Sequence, residues 1–112
     1  RLFWYYTALT AVDSGTSTSP VTTSLAAFMP STSRTAQLHL HIRSFGSVND
    51  LFVYRTGDTA DDYAHLHVDF TNEQSDNSLI MATSDSWQIT WKHNFGNPSN
   101  TKVHVKGYYD DL

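Results

Sequence analysis

A chain of 112 residues is long enough for one domain that buries its own core without covalent staples. It has no cysteine, which excludes disulfides and thiolate metal sites, and its 7 Lys and Arg against 11 Asp and Glu leave a formal charge of −4. That balance excludes a general nucleic-acid binder, which needs clustered cations to displace counterions from phosphate, and no apolar run is long enough to insert into a membrane.

Aromatic residues, at 13%, and abundant Ser and Thr suit half-buried pleated surfaces. Charged residues make up only 16%, a surface of the kind frequent outside cells, so a virion or extracellular location is expected. The sequence opens at Arg1 directly in an apolar stretch and is expected to be a single domain within a longer chain or assembly.

In chain order, residues 1–12 begin with Leu2, Phe3, Trp4, Tyr5 and Tyr6, a bulky run that reads either as a first core strand or as a strand that pairs with another chain. Residues 13–20 form a Ser/Thr/Gly loop, and 21–28 resume an extended pattern with at most a turn of helix. Pro30 breaks this pattern, because it cannot donate to a ladder and restricts Met29 before it. Residues 35–45 then alternate strictly, with Leu38, Leu40 and Ile42 on one side and His39 and His41 on the other. Residues 46–50 read as a hairpin turn into a strand over 51–55.

A polar loop over 56–62 leads into a strand over 63–71, where Leu66, Val68 and Phe70 alternate with His65, His67 and Asp69. Residues 72–77 read as a second polar turn, and 78–83 with 87–93 as the next hairpin. A turn over 94–100 gives way to a closing strand over 101–109, with Val103 and Val105 inside and Lys102, His104 and Lys106 outside. About eight short strands, each with one buried and one wet face, predict an all-β antiparallel β-sandwich of jelly-roll or immunoglobulin-like type. The expected core is Leu38, Leu40, Ile42, Val53, Leu66, Val68, Phe70, Ile80, Ile89, Val103 and Val105.

Three constellations could carry binding chemistry. Two histidines at i and i+2 project side by side from a strand, so His39 and His41 with His65 and His67 offer four imidazoles to a transition metal if their strands are neighbours, with His104 able to join. Asp58, Asp61 and Asp62 cluster in one loop and offer oxygen ligands to calcium, without the full spacing of a helix-loop-helix calcium site. Tyr63, Trp87, Trp91, Tyr108 and Tyr109 lie near Asn and Asp residues and could form an aromatic platform for a cell-surface glycan, although at least one Trp of residues 87–91 is expected in the core. No Gly-X-Ser-X-Gly, phosphate loop or dinucleotide fingerprint occurs, so no catalytic residue and no enzymatic activity is expected.

Residues 25–30 (Leu-Ala-Ala-Phe-Met-Pro), 36–42 (Ala-Gln-Leu-His-Leu-His-Ile), 51–57 (Leu-Phe-Val-Tyr-Arg-Thr-Gly) and 103–109 (Val-His-Val-Lys-Gly-Tyr-Tyr) together resemble a β-sandwich domain of bacteriophage tail and fibre proteins and bacterial surface proteins, over roughly residues 21–109. The resemblance implies a non-enzymatic structural or attachment module whose partners are copies of itself or neighbouring virion or appendage proteins. The alternative is a carbohydrate-binding module with an aromatic platform, supported by calcium at Asp58, Asp61 and Asp62.

Overall fold

The computed structural model of the chain describes residues 2–46, 48–58, 64–94 and 99–110. Eight strands run through them: β1 (Leu2–Gly15), β2 (Val21–Ser24), β3 (Thr35–Ser44), β4 (Asn49–Arg55), β5 (Ala64–Val68), β6 (Gln74–Ala82), β7 (Gln88–His93) and β8 (Ser99–Tyr109). One four-stranded sheet has the order β1-β8-β3-β6 and the other β2-β7-β4-β5. Every pairing is antiparallel. The pairs β1/β8, β2/β7, β3/β6 and β4/β5 make the chain one long double-backed ribbon rolled across two sheets, which is the eight-stranded jelly roll.

The alternation of β3 sets this arrangement. Ala36, Leu38, Leu40 and Ile42 are fully buried between the sheets, and His39 and His41 stand on the outer face. Val103 and Val105 of β8 and Ile89 and Trp91 of β7 meet them inside, with Leu51, Val53, Leu66 and Val68 from β4 and β5. Leu25, beside the single 3₁₀ turn Ala26–Phe28, is fully buried among the core residues. His93 is enclosed in the same interior, with Nε2 bonded to Thr101 and Nδ1 to Ser99, and its burial holds the imidazole below its ordinary value.

β1 pairs within its own chain, at the edge of the first sheet. At Gly107 a Cβ would collide with the Phe3 carbonyl oxygen, so only glycine lets the two backbones meet there. Phe3 and Tyr5 reach inward to Tyr108, and the Tyr5 hydroxyl donates to the Phe28 carbonyl.

Three expectations need correction. Neither 46–50 nor 84–86 closes a hairpin: β3 and β4 lie in different sheets, as do β6 and β7, because the rolled ribbon pairs β3 with β6 and β4 with β7. Residues 74–77 are strand, and the turn before them is shorter, with Asn72 in the left-handed region at φ 63° that asparagine tolerates. Phe70 and Ile80 are outside the core, 71% and 54% exposed. β5 stops at Val68, two residues before Phe70. On β6 it is Leu79 and Met81 that stand opposite Leu38 and Ala36, so Ile80, opposite Gln37, faces out.

Truncating Leu40 to Ala is therefore expected to cost about 2–5 kcal/mol of stability, whereas Phe70→Ser and Ile80→Ser should stay within about 0.5 kcal/mol of the parent chain. Urea denaturation of the three variants checks this.

Candidate functional site

The outer face of the first sheet holds a groove of about 370 Å³. β3 contributes His39, His41 and Arg43 to it, β8 contributes Asn100, Lys102 and His104, β6 contributes Gln74 and Asp76, and Phe45 closes one end. Apart from Phe45, which follows the end of β3, these residues are on the outer side of strands of the first sheet, which is why a purely structural alternation produces a polar surface this dense.

Asp76 sits directly opposite His41 in the ladder. Its Oδ1 accepts from His41 Nδ1 at 2.7 Å and from His39 Nε2 at 3.0 Å. Burial alone would raise the Asp76 carboxyl, but the bonds from His41 and His39 outweigh it and hold the group below its ordinary value. His104 stacks beside His39 at 6.3 Å between ring centroids and lies 3.2 Å from the Thr10 hydroxyl. Its imidazole is pushed down by burial and by the neighbouring His39 and Lys102.

At the other end, Arg43 and Asn100 face each other across the β3/β8 ladder. The buried Nε of Arg43 and Oδ1 of Asn100 have no hydrogen-bond partner among the described residues. The groove is lined by two cations, Arg43 and Lys102, by the carboxylate of Asp76, and by the half-exposed ring of Phe45, with Asp13 3.9 Å from the Lys102 ammonium at its margin. Such a lining suits a polar ligand with an acidic group.

The second sheet repeats the histidine device on its own outer face. Asp50 is opposite His67, and its Oδ1 accepts from His67 Nδ1 and His65 Nε2, both at 2.6 Å. His67 Nε2 reaches a second carboxylate, Asp69, at 2.5 Å. Burial alone would raise the Asp50 carboxyl, yet the His67 and His65 bonds bring it below its ordinary value. The His67 imidazole is raised by its bonds to Asp50 and Asp69.

The four histidines expected to meet do not. β3 and β5 belong to different sheets, and each pair faces away from the core, so His39 and His41 are on the opposite side of the sandwich from His65 and His67. His104 does join the first pair. The calcium loop is also not assembled among the described residues: Asp58 is held by the Arg55 guanidinium at 2.9 Å, and Asp61 and Asp62 lie outside the described residues. This ion pair already neutralises the carboxylate that would anchor calcium.

Nor is the aromatic platform assembled among the described residues. Trp91 is buried in the core and donates through Nε1 to Thr23. Trp87 is covered by the Arg34 guanidinium, 4.0 Å from its ring, and donates to the Ser33 carbonyl. Tyr108 packs inward on Phe3, Tyr109 closes the β1/β8 and β3/β8 ladders opposite Leu2 and Thr35, and Tyr63 lies outside the described residues. Asp50, Asp76, Arg43, Asn100 and Phe45 are absent from the sequence-based candidates. Their one sequence signal is an acidic residue on a strand that could pair with a His-X-His strand, and that depends on knowing the pairing.

Fold and surface together define a jelly-roll β-sandwich with polar, histidine-rich outer faces. No protein-family model matches the chain, and no curated protein matches it significantly.

Asp76 has a folded value below its unfolded one, so its contribution to stability is present above the ordinary value of 3.8 and fades as pH falls through the lowered folded value. Because Asp76 is half exposed, Asp76→Asn is expected to cost under about 1 kcal/mol at pH 6. That difference should shrink towards zero as pH is lowered below 3.8, as measured by paired thermal melts.

Proposed function

We propose that the chain is a non-enzymatic attachment module of an extracellular assembly of the phage tail or fibre kind, and that the groove on its first sheet takes an acidic cell-surface glycan. What carries the reading is the groove itself: the Arg43 guanidinium, Lys102, Asn100 and three imidazoles line it together with the half-exposed Phe45, over whose ring Arg43 lies at 5.1 Å. Sugar CH groups stack on an aromatic ring, a carboxylate or sulfate pairs with Arg and Lys, and hydroxyls meet the amide and imidazole groups.

The assembly is suggested by the resemblance of residues 21–109 to phage-tail and bacterial-surface sandwiches. Viral capsid and lectin domains also use the jelly roll, an analogy of fold alone. An open, shallow site of this size binds weakly by itself, and several copies held together convert weak contacts into firm ones.

A purely structural role is the second reading. It is favoured by the row Trp4, Gly107, Gln37 and Ile80, which crosses the outer face of the first sheet with an exposed apolar residue at each end. There the module would pack against copies of itself through that row.

Surface-immobilised chain probed with carboxylated, sulfated and neutral glycans separates the two. Attachment predicts retention of acidic glycans that weakens as salt is raised, and a loss of about tenfold or more, or 1.4 kcal/mol, for Arg43→Ala and Phe45→Ala. Absence of glycan retention, together with an oligomer in native mass spectrometry that Trp4→Ser dissociates, would replace attachment with the structural role.

A further inference from the structure

Among the described residues, Asp50, His65 and His67 bring three potential metal-ligand atoms within 4.8 Å of one another. The set lies on the second sheet, apart from the groove, and the attachment reading does not depend on it. From the convergence of these atoms and from the bonding of His67 on both of its ring nitrogens, we propose that Asp50, His65 and His67 form a binding site for a divalent transition-metal ion.

The chemistry of His67 points to a cation. Its Nδ1 faces the Asp50 carboxylate and its Nε2 faces the Asp69 carboxylate. A neutral imidazole has one N–H, so it can satisfy only one of these acceptors. Either a second proton or a metal ion must lie on the other side. A metal at Nδ1 leaves the Nε2 proton for Asp69, which then orients the ring and makes it a better ligand, as an outer-shell carboxylate does for a metal-bound histidine.

The ligands are held in place before any ion arrives. Asp50 is nearly buried, its N–H donates to the Asn49 side chain at 2.9 Å, and its carbonyl accepts from the Asn94 N–H at 3.1 Å. The His65 ring lies flat on Phe52, 4.9 Å away with 3° between planes. Around a tetrahedral ion with bonds of about 2.0–2.2 Å, ligand atoms stand about 3.3 Å apart. Both imidazoles are on the exposed side of β5 and can open from 2.6 Å to that spacing without disturbing the core.

Two imidazoles and one carboxylate suit zinc and its neighbours in the first transition row, not calcium, which needs six or more oxygens. The remaining positions face solvent, where water or a donor from an adjoining molecule completes the shell. His39, His41 and Asp76 supply an internal comparison. They have the same residue types in the same cross-strand pattern, but their three ligand atoms are not as closely gathered, and the outer nitrogen of His39 meets the neutral Ser78 hydroxyl where that of His67 meets a carboxylate.

The test is calorimetric titration of the metal-free chain with zinc chloride, with folding of each variant verified by its thermal melt. One zinc per chain is expected. Affinity should fall at least tenfold in His65→Gln and in His67→Gln, and about 10–100-fold in Asp69→Asn. The double variant His39→Gln with His41→Gln should bind as the parent does. Zinc should also raise the melting temperature of the parent and leave that of folded His67→Gln unchanged. No zinc binding by the parent, or binding abolished by the His39 and His41 changes and retained in His65→Gln, would overturn the site.

Discussion

The molecule depends on one constraint: β3 can bury only one of its two faces. Ala36, Leu38, Leu40 and Ile42 are inaccessible to solvent, so the residues between them must stand outside. β3 also pairs on both sides along nearly its whole length, with β6 and with β8, and the register of each ladder is set by that same alternation. A slip of one residue would put His39 and His41 in the core and the leucines in water, which no other contact could offset. The polar surface of the first sheet is therefore a direct consequence of how its interior packs.

The same logic yields the histidine–aspartate clamps. In both sheets a His-X-His strand is paired so that one aspartate falls opposite the second histidine, His41 to Asp76 and His67 to Asp50. Residues i and i+2 project side by side, and the directly opposite position is the one within reach of both. One carboxylate oxygen then accepts from two imidazoles without any special loop. What distinguishes the two clamps is their surroundings: Asp76 is half exposed and its His39 is shared with Ser78, whereas Asp50 is largely enclosed and its His67 leans on a second carboxylate.

Charge and burial give these surfaces different electrostatic characters. The groove gathers Arg43 and Lys102 near Asp76, with Asp13 3.9 Å from Lys102, and places His104, held towards its neutral form by burial, next to His39. The patch on the second sheet gathers Asp50 and Asp69 around His67, giving it anionic surroundings. One surface favours an acidic partner and the other a cation, although both are built from histidines on alternating strands.

The all-β class, the sandwich architecture and most of the inward residues of β3, β5, β7 and β8 were legible from the period-two alternation, because a side chain's face is a local property of an extended backbone. The exceptions were local too: Phe70 lies past the end of its strand, and Ile80 sits one residue off the inward phase of β6. The outward direction of all four paired histidines was equally readable. Which of them meet was not, since strand partners in a jelly roll are separated by up to the length of the chain and consecutive strands mostly lie in opposite sheets. Tertiary pairing alone set the two His-X-His motifs on opposite faces, supplied each with its aspartate, brought Arg43 opposite Asn100, and decided that Trp91 is the buried tryptophan while Trp87 is covered by Arg34. Alternation determines which way a side chain points; only the ladder determines what it points at.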